Sequence, residues 1–272
     1  METIKLWENV PGLCQFTPVL EYYPAEKQPM ISKKIDCTVV IFPGGGYMHR
    51  AEHEGKGYAE FFNSIGMDAF VCQYRTVPHS FPLPLMDARR AVQYVRFNAE
   101  KYGISPDKIG VMGSSAGGHL AATVSTNYDD FSSSLEKPDE IDKVDFIPNF
   151  QILCYPVISF DDSFGHIGSK NNLLGDRKDD AELISHLCAE KNVSDKTPKA
   201  FIWHTFDDPV VNIKNSLTYA TNFKDAGVDC EVHIYQNGAH GLGLAQQSNS
   251  VGQWPTQLKN WLIHNNYVEY HL

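Results

Sequence analysis

Apolar runs with strand character alternate with amphipathic helical segments along most of the chain. Residues 37–43, 67–75 and 109–113 are short, apolar and bounded by glycine, which is typical of buried strands. Between them, residues 54–65 and 85–102 carry apolar side chains at helical spacing. The pattern continues with predicted helices at 116–126, 180–188, 212–226 and 254–265 and predicted strands at 150–158, 199–206 and 228–236. This order predicts βαβ units in an α/β fold, a mostly parallel sheet with helices on both faces.

Two segments interrupt the alternation without a linker or an internal repeat. Residues 127–148 are polar and acidic, and residues 159–198 contain many turn-forming residues. Long connections in a compact domain are often functional loops or lids, although a plain solvated loop is the alternative for each. We therefore expect one domain over residues 1–272, with cap or loop insertions near 127–148 and 159–198. The alternating polarity of 228–236 places the last strand near a sheet edge.

Charge narrows the expected partners. The formal net charge is −10, which argues against nucleic acid and gives no attraction to anionic membranes. No stretch approaches 18 apolar residues, so no membrane partner is expected. A small-molecule substrate fits best, and the sequence leaves open whether the protein is a monomer or a homo-oligomer.

Cysteine usage and the N-terminus indicate the compartment. The chain starts METIKLWENVPGL, without a cationic start and apolar run, so we predict no signal peptide. The six cysteines are scattered and form no C-x-x-C pair. Free thiols in a reducing environment fit this pattern better than a disulfide framework, so the prediction is a cytoplasmic protein.

The strongest chemical signal is GSSAG at 113–117, which matches G-x-S-x-G between a predicted strand and a predicted helix. Such a tight turn holds the central serine in a strained conformation and lifts its hydroxyl above the sheet. The amide of Ala116 then points toward the reacting centre from the helix N-terminus. The motif predicts Ser115 as a nucleophile, and an ordinary glycine-rich turn is the alternative.

A serine hydroxyl needs a base to take its proton. With this motif the chain order is serine, then a carboxylate, then histidine. Asp207 and Asp208 follow the predicted strand 199–206, and His240 follows the last strand, so both sites share the carboxyl edge of the sheet with Ser115. This order predicts His240 as general base, while chemistry alone does not choose between the two aspartates.

Other histidines have structural interpretations. His204 lies inside a predicted strand, and His119 lies one helical turn past Ser115, so both are expected to pack and hydrogen-bond rather than act as the base. The remaining candidates occupy loops that can border the pocket: His49, His53, His79 and His166.

A glycine-rich loop, Pro43-Gly44-Gly45-Gly46-Tyr47, follows the first confident strand. Only glycine lets a backbone approach a reacting carbonyl so closely, and loops at this position bind the oxyanion in esterases and lipases. The placement two βα units before Ser115 makes this assignment more specific than three glycines alone.

The chain resembles α/β-hydrolase esterases close to acetyl xylan esterases and hormone-sensitive-lipase-like carboxylesterases. The resemblance runs from about residue 35 to the end and is carried by IFPGGGY, PLPLMDARRAVQYVR, SPDKIGVMGSSAGGHLAA, HIGSKNNLLG, TPKAFIWHTFDDPVV and GAHGLGL. It implies the α/β-hydrolase fold and a catalytic triad formed by Ser115, Asp208 and His240. It also implies an oxyanion hole formed by the amides of Gly45, Gly46 and Ala116.

The resemblance also bears on the choice of acid and on the loop. In the H-x-x-x-D-x-x-V pattern of relatives the acid lies four residues after the histidine, and His204, Asp208 and Val211 fit that spacing. Asp207 is then a solvated or turn-stabilising neighbour. Pro43 stands where related lipases have histidine, so the support of the loop must differ.

The implied function is a serine esterase that cleaves short acyl esters, acetyl esters of carbohydrates above all, through an acyl-enzyme and without metal or cofactor. Tyr47 and His166 are candidate substrate-binding residues, and Ser169 and Asn172 are further candidates to face a sugar. The alternatives are another serine hydrolase (a general carboxylesterase, a formamidase or a peptidase-like enzyme) or a non-catalytic binding protein on this fold.

Overall fold

A computed structural model describes residues 1–12, 15–25 and 35–268. Cys14 lies outside the described residues. The strands of the described part are β1 (Glu2–Lys5), β2 (Val19–Tyr23), β3 (Thr38–Phe42), β4 (Asp68–Gln73), β5 (Ile109–Ser114), β6 (Phe150–Cys154), β7 (Ala200–Thr205) and β8 (Cys230–Tyr235). They form one sheet in the order β1-β2-β4-β3-β5-β6-β7-β8, in which β2 is antiparallel to both neighbours and β3 to β8 are parallel.

Helices connect the parallel strands. The α-helices of the described residues are α1 (Glu52–Ser64), α2 (Leu83–Phe97), α3 (Ala99–Tyr102), α4 (Ala116–Thr126), α5 (Ile167–Leu174), α6 (Ala181–His186), α7 (Lys214–Ala226) and α8 (Trp254–His264). Short 3-10 helices lie at Ser132–Ser134, Glu140–Lys143, Gly175–Arg177, Ala189–Asn192 and Val251–Gln253. Among the described helices, none has the length and apolar character needed to cross a lipid bilayer.

The core lies on both faces of the sheet. Along β3, Val40 and Phe42 pack into the cluster that includes α2, α4 and α7, while Val39 and Ile41 pack into the cluster that includes α1 and α8. Alternate strand residues point to opposite faces, so a strand that is buried on both sides must be apolar throughout. The predicted α/β architecture with helices on both faces is confirmed, and β8 lies at the sheet edge as expected.

Several boundaries differ from the predictions. The predicted helix 85–102 divides at Asn98, where ψ of 17° interrupts the helix between α2 and α3. The predicted strand 150–158 ends at Cys154, because Tyr155 adopts φ of 36° and Pro156 follows it. The strands β1 and β2 and the helix α5 were not predicted. The one-domain organisation over residues 1–272 stays a prediction from the sequence.

Candidate active site

Ser115 lies at the turn between β5 and α4, at the carboxyl edge of the sheet. Its φ of 52° and ψ of −120° lie outside the regions that a residue with a Cβ ordinarily adopts. Backbone hydrogen bonds hold this conformation, since the Ser115 amide donates to the Cys154 carbonyl at 3.0 Å and the Ser115 carbonyl accepts from Val157 at 2.9 Å. The turn therefore has the strained geometry that the G-x-S-x-G motif predicts.

The flanking glycines of the motif are required by close backbone contacts. A Cβ on Gly117 would lie 2.0 Å from the carbonyl oxygen of Phe42, and one on Gly113 would lie 2.0 Å from that of Gly117. Neither backbone atom can move aside without disturbing the sheet or α4. Both motif glycines thus allow α4 to approach β3 and β5 closely enough to form the turn.

His240 connects Ser115 to Asp208. Its Nε2 lies 2.9 Å from Ser115 Oγ, and its Nδ1 lies 2.7 Å from Asp208 Oδ2. The imidazole ring is held edge-on by Tyr155, with ring centroids 5.0 Å apart. Since β5, β7 and β8 are parallel, the segments that follow them bring Ser115, Asp208 and His240 together at one edge.

Asp208 is a buried acceptor with several donors. Its side chain has no solvent exposure. Oδ1 accepts the amides of Val210 and Val211 at 2.8 and 2.9 Å, while Oδ2 faces His240. Burial raises the pKa of Asp208, but hydrogen bonds from His204, His240 and the two valine amides outweigh it and hold this pKa well below its usual value. Asp208 is therefore ionised at neutral pH.

Asp207 has a different environment. Its Oδ2 accepts from Asn237 Nδ2 and its Oδ1 from the Gly238 amide, both at 2.8 Å. These bonds attach the end of β7 to the turn that precedes His240. The structure thus brings Asp208, not Asp207, to the imidazole, and Asp207 stabilises the neighbouring turn.

His204 supports Asp208 from inside β7. Its Nε2 lies 3.1 Å from the Val211 carbonyl and 3.3 Å from Asp208 Oδ2, and its Nδ1 lies 2.8 Å from Ser216 Oγ. Because both neighbours of Nε2 are acceptors, we assign the proton to Nε2 and the acceptor role to Nδ1. His204 is fully buried, in line with its structural interpretation.

The loop after β3 starts at the same edge of the sheet and contains amides that are unpaired among the described residues. Gly45 and Gly46 adopt φ of +126° and +64°, which glycine tolerates without strain. A Cβ on Gly45 would lie 2.4 Å from the His49 carbonyl oxygen. The amides of Gly45, Gly46 and Ala116 have no hydrogen-bond acceptor among the residues that the structure describes. They are available donors, and the Ala116 amide is also one of the unpaired N–H groups at the start of α4.

Side chains from several elements hold this loop. Tyr74 donates to the Pro43 carbonyl at 2.6 Å, and Glu54 Oε2 accepts the Gly44 amide at 2.8 Å. Asn172, on α5, donates to the Gly46 carbonyl at 2.8 Å. These contacts supply the support that the sequence left unexplained when Pro43 replaced histidine.

Tyr47 requires a correction. It was predicted to bind substrate, but its side chain is 1% exposed and its hydroxyl lies 2.8 Å from His119 Nδ1. His119 Nε2–H donates to the Leu187 carbonyl at 2.8 Å, so Nδ1 accepts from the Tyr47 hydroxyl. Burial lowers the pKa of His119 to about 4, which keeps the ring neutral. Tyr47 therefore anchors the loop and does not contact substrate through its ring.

The predicted sugar-facing group at 166–172 is divided by the structure. His166 caps α5, with its Nδ1 2.8 Å from Ser169 Oγ, and stays half-buried. Burial, followed by electrostatic repulsion from His240, lowers the pKa of His166. Ser169 is completely buried, so its side chain cannot face a sugar, and Asn172 is engaged by Gly46.

A surface cavity adjoins the acid. It has a volume of about 420 Å³ and is lined by Asp162, Phe164, Phe206 and Asn212 together with Asp208. Phe206 is 64% exposed at the rim of this cavity. This combination of polar groups and one exposed ring borders the segment that carries Asp208.

Comparison with solved structures defines the class of the fold. The chain superposes on an acetyl ester-xyloside bifunctional hydrolase from Caldicellulosiruptor lactoaceticus with a TM-score of 0.90 and 41% identity, over 98% of this chain and 97% of the other. It also matches MGS-M1, an α/β-hydrolase enzyme from a deep-sea metagenome library, with a TM-score of 0.72 and 27% identity over 97% and 96% of the two chains. The fold is thus that of the α/β hydrolases, as the resemblance implied.

The sequence places the chain within one family of this class. The BD-FAE family profile matches residues 22–223, and the chain belongs to the BD-FAE family. It is 39% identical over 216 residues to endo-1,4-beta-xylanase B of Butyrivibrio fibrisolvens, covering 78% of this chain and 33% of that protein. It is 35% identical over 229 residues to acetylxylan esterase of Xylanibacter ruminicola, covering 83% and 45%. The chain therefore spans less than half the length of these two curated relatives.

Proposed function

We propose that this chain is a serine esterase that hydrolyses short-chain esters, chiefly acetyl esters of carbohydrates. The observation that carries the proposal is the continuous set of hydrogen bonds from Ser115 Oγ through His240 to the ionised Asp208. The relatives add support, because their names include an acetylxylan esterase and an acetyl ester-xyloside hydrolase.

The arrangement suits acyl transfer through a covalent intermediate. As Ser115 Oγ attacks the ester carbonyl, His240 Nε2 takes its proton, and the Nδ1–H donates to Asp208, which stabilises the imidazolium. The proton then passes to the leaving alcohol. Water, activated in turn by His240, attacks the acyl-enzyme and regenerates Ser115.

The amides of Gly45, Gly46 and Ala116 are the proposed oxyanion hole. Negative charge develops on the carbonyl oxygen in each tetrahedral intermediate, and preorganised donors there lower the barrier. Two observations support this assignment. These amides have no acceptor within the described chain, and side chains hold the loop in place.

The carbohydrate preference rests on the relatives and on the surface beside Asp208. The cavity of about 420 Å³ adjoins the segment that carries Asp208, but its lining includes neither Ser115 nor His240, so we propose only its exposed Phe206 ring as a platform for the sugar part of the alcohol. An aromatic ring supplies a large, rigid apolar face on which the C–H face of a sugar can pack. His166, at the N-terminal cap of α5, remains a proposed substrate-binding residue.

A two-part experiment tests the proposal. A fluorophosphonate probe should label the wild-type protein at Ser115 and leave Ser115→Ala unlabelled, and Ser115→Ala should lower kcat by at least ~10³-fold. Substrate class is then measured as kcat/KM for p-nitrophenyl acetate, butyrate and octanoate, together with acetate release from acetylated xylo-oligosaccharides.

Each outcome separates one alternative. Absence of labelling and of hydrolysis in the folded protein would point to a non-catalytic binding protein. Labelling with octanoate as the best ester, and untouched acetylated sugars, would replace the carbohydrate proposal with a general carboxylesterase. Butyrate adds two methylenes to acetate, and each changes discrimination in a fitted pocket by about 1–3 kcal/mol, so this comparison separates the alternatives less sharply than acetate against octanoate.

The cytoplasmic location remains a prediction from the cysteine pattern. It is supported by the described cysteines, which are all free: Cys37, Cys72, Cys154, Cys188 and Cys230.

A further inference from the structure

A buried glutamate packs against the glycine-rich loop. Glu54, in the first turn of α1, is 2% exposed, and its Oε2 accepts the Gly44 amide at 2.8 Å. The fit is tight, since a Cβ on Gly44 would lie 2.6 Å from that oxygen. Within the described residues its one ion-pair neighbour is His53, at 3.8 Å, so hydrogen-bond donors account for most of its stabilisation.

The second oxygen of Glu54 reaches the loop that carries His240. Oε1 accepts the Tyr155 hydroxyl at 2.6 Å, and that hydroxyl oxygen accepts the Gly243 amide at 3.0 Å. Gly243 follows His240 by three positions, and the Tyr155 ring also contacts the imidazole edge-on. One carboxylate therefore joins the loop after β3 to the loop after β8.

The same network extends to the serine turn. The Tyr58 hydroxyl lies 3.2 Å from that of Tyr155 and 2.8 Å from Ser114 Oγ. Tyr58 and Ser114 are fully buried, so these bonds form away from water, where unpaired polar groups are costly.

We propose that Glu54 is a positioning residue for ester hydrolysis, which fixes the oxyanion loop relative to the loop of His240. The inference rests on the proposed function, since it assigns Glu54 a role within that reaction. Donors to an oxyanion and a general base must be held within roughly 0.5 Å of their productive positions, and a shared carboxylate sets both distances at once. Pro43 has no side-chain group that can form a hydrogen bond, and Glu54 supports the oxyanion loop in its place.

Glu54→Gln is the sharpest perturbation, because the site presents two donors. Gly44 offers N–H and Tyr155 offers O–H, and a carboxylate accepts both. A glutamine has one acceptor oxygen and one NH₂ group, so with its oxygen on the Gly44 amide its NH₂ faces the Tyr155 hydroxyl, which must turn its own O–H away to accept it. The volume is unchanged, but the charge-assisted bond from Tyr155 to a carboxylate is replaced by a weaker neutral bond of reversed direction.

The experiment compares Glu54→Gln with Tyr155→Phe and with the exposed control Glu52→Gln on the same helix. Turnover of p-nitrophenyl acetate is measured per fluorophosphonate-labelled site, so that misfolded protein does not contribute. Amide hydrogen exchange is followed by mass spectrometry in peptides covering 43–48 and 238–244.

We expect Glu54→Gln to lower kcat per labelled site by about 10- to 100-fold, a part of the ~10²–10³-fold lost when an oxyanion donor is removed. KM should stay within about threefold, and both peptides should exchange faster. Tyr155→Phe keeps the Gly44 bond and should lower kcat by about 3- to 10-fold, and the double variant should be no worse than Glu54→Gln, as expected of two residues in one network. Glu52→Gln should match the wild type in every readout.

A kcat per labelled site within twofold of the wild type in Glu54→Gln would overturn the proposal, even if the melting temperature fell. Independent, multiplying effects in the double variant would also overturn it. If Glu54→Gln does not fold, Tyr155→Phe decides by the same criteria. A wild-type protein that is neither labelled nor active would instead refute the proposed function. Amide hydrogen exchange in the two loops would still test whether Glu54 links them.

Discussion

Replacement of Asp208 by asparagine tests the proposed triad through the tautomer of His240. In the native site Oδ1 is held by the amides of Val210 and Val211, and Oδ2 accepts from His240 Nδ1. In Asp208→Asn the valine amides retain the side-chain oxygen, so the NH₂ group faces His240 and also His204 Nε2, whose proton is then left with the Val211 carbonyl as its acceptor. Nδ1 must then accept, which moves the imidazole proton to Nε2, where it blocks proton transfer from Ser115.

The size of the effect follows from the alternative orientation. A flipped asparagine would restore the correct tautomer but would set its NH₂ against two backbone donors at a side chain with no solvent exposure. Two lost buried hydrogen bonds cost about 2–5 kcal/mol, and the stabilisation of the imidazolium is lost as well. At about 1.4 kcal/mol for each factor of ten, we expect kcat to fall by roughly 10³- to 10⁴-fold, the range seen for such changes in serine hydrolases.

The assay is kcat for p-nitrophenyl acetate, with circular dichroism to confirm folding. Asp207→Asn is the matched control, since Asp207 is exposed and its bonds to Asn237 and Gly238 are made at the surface. Its kcat should change by less than about fivefold, since exposed interactions contribute under ~1 kcal/mol. If the folded Asp207→Asn variant proves more damaging than Asp208→Asn, the assignment of the acid is wrong.

The remaining predictions concern stability, substrate and metal. Gly117→Ala should lower the free energy of unfolding in urea by about 3 kcal/mol, because its Cβ would meet the Phe42 carbonyl at 2.0 Å. Gly57→Ala on α1, where a Cβ meets nothing within 4 Å, should instead raise it by about 0.5–1 kcal/mol, and the same sign for both would contradict the contact argument. The pKa of His119, lowered to about 4, means that the unfolded chain binds the proton first, so stability is lost as pH falls from about 6.5 toward 4. Between about pH 7.5 and 5 the wild type should lose about 2 kcal/mol more than His119→Gln, and equal losses would refute burial of a neutral ring. Phe206→Ala should raise KM for acetylated xylo-oligosaccharides at least about fivefold and leave p-nitrophenyl acetate unaffected; a change with both esters would point to damage at the catalytic edge. EDTA should leave kcat unchanged, whereas a loss restored by a divalent metal would require a different mechanism.

Most strands and helices of the fold could be predicted from local patterns in the sequence. Parallel strands buried on both faces are continuous apolar runs, so β3 to β7 stand out from the chain. The strands β1 and β2 lie at the antiparallel side, where ETIK and VLEYY mix polar and apolar residues and give a weaker signal. Helix α5 was missed because its stability comes from the His166 cap and from packing of Leu173 and Leu174, not from an amphipathic stripe.

The residues of the candidate site could be predicted where a sequence motif determines their chemistry. They could not be predicted where a side chain acts by positioning another residue. Ser115 and His240 follow from chain order, whereas nothing local distinguishes a tyrosine that faces substrate from Tyr47, which turns inward to His119. Glu54 left one readable trace, since it is a charged residue four positions before Tyr58 on the apolar face of α1. A carboxylate in such a place needs buried donors, and only the tertiary structure shows which ones.

Changes in the segment 159–198 are expected to affect both substrate specificity and turnover. Its Asn172 holds the Gly46 carbonyl, and its Leu187 carbonyl orients the ring on which Tyr47 rests. If this segment is exchanged, by evolution or by design, to admit a different alcohol, the two contacts that support the oxyanion loop are exchanged with it. New substrate ranges in this family should therefore arise fastest through substitutions at outward positions such as Ile167, while whole-segment grafts should begin with impaired catalysis until these two contacts are rebuilt.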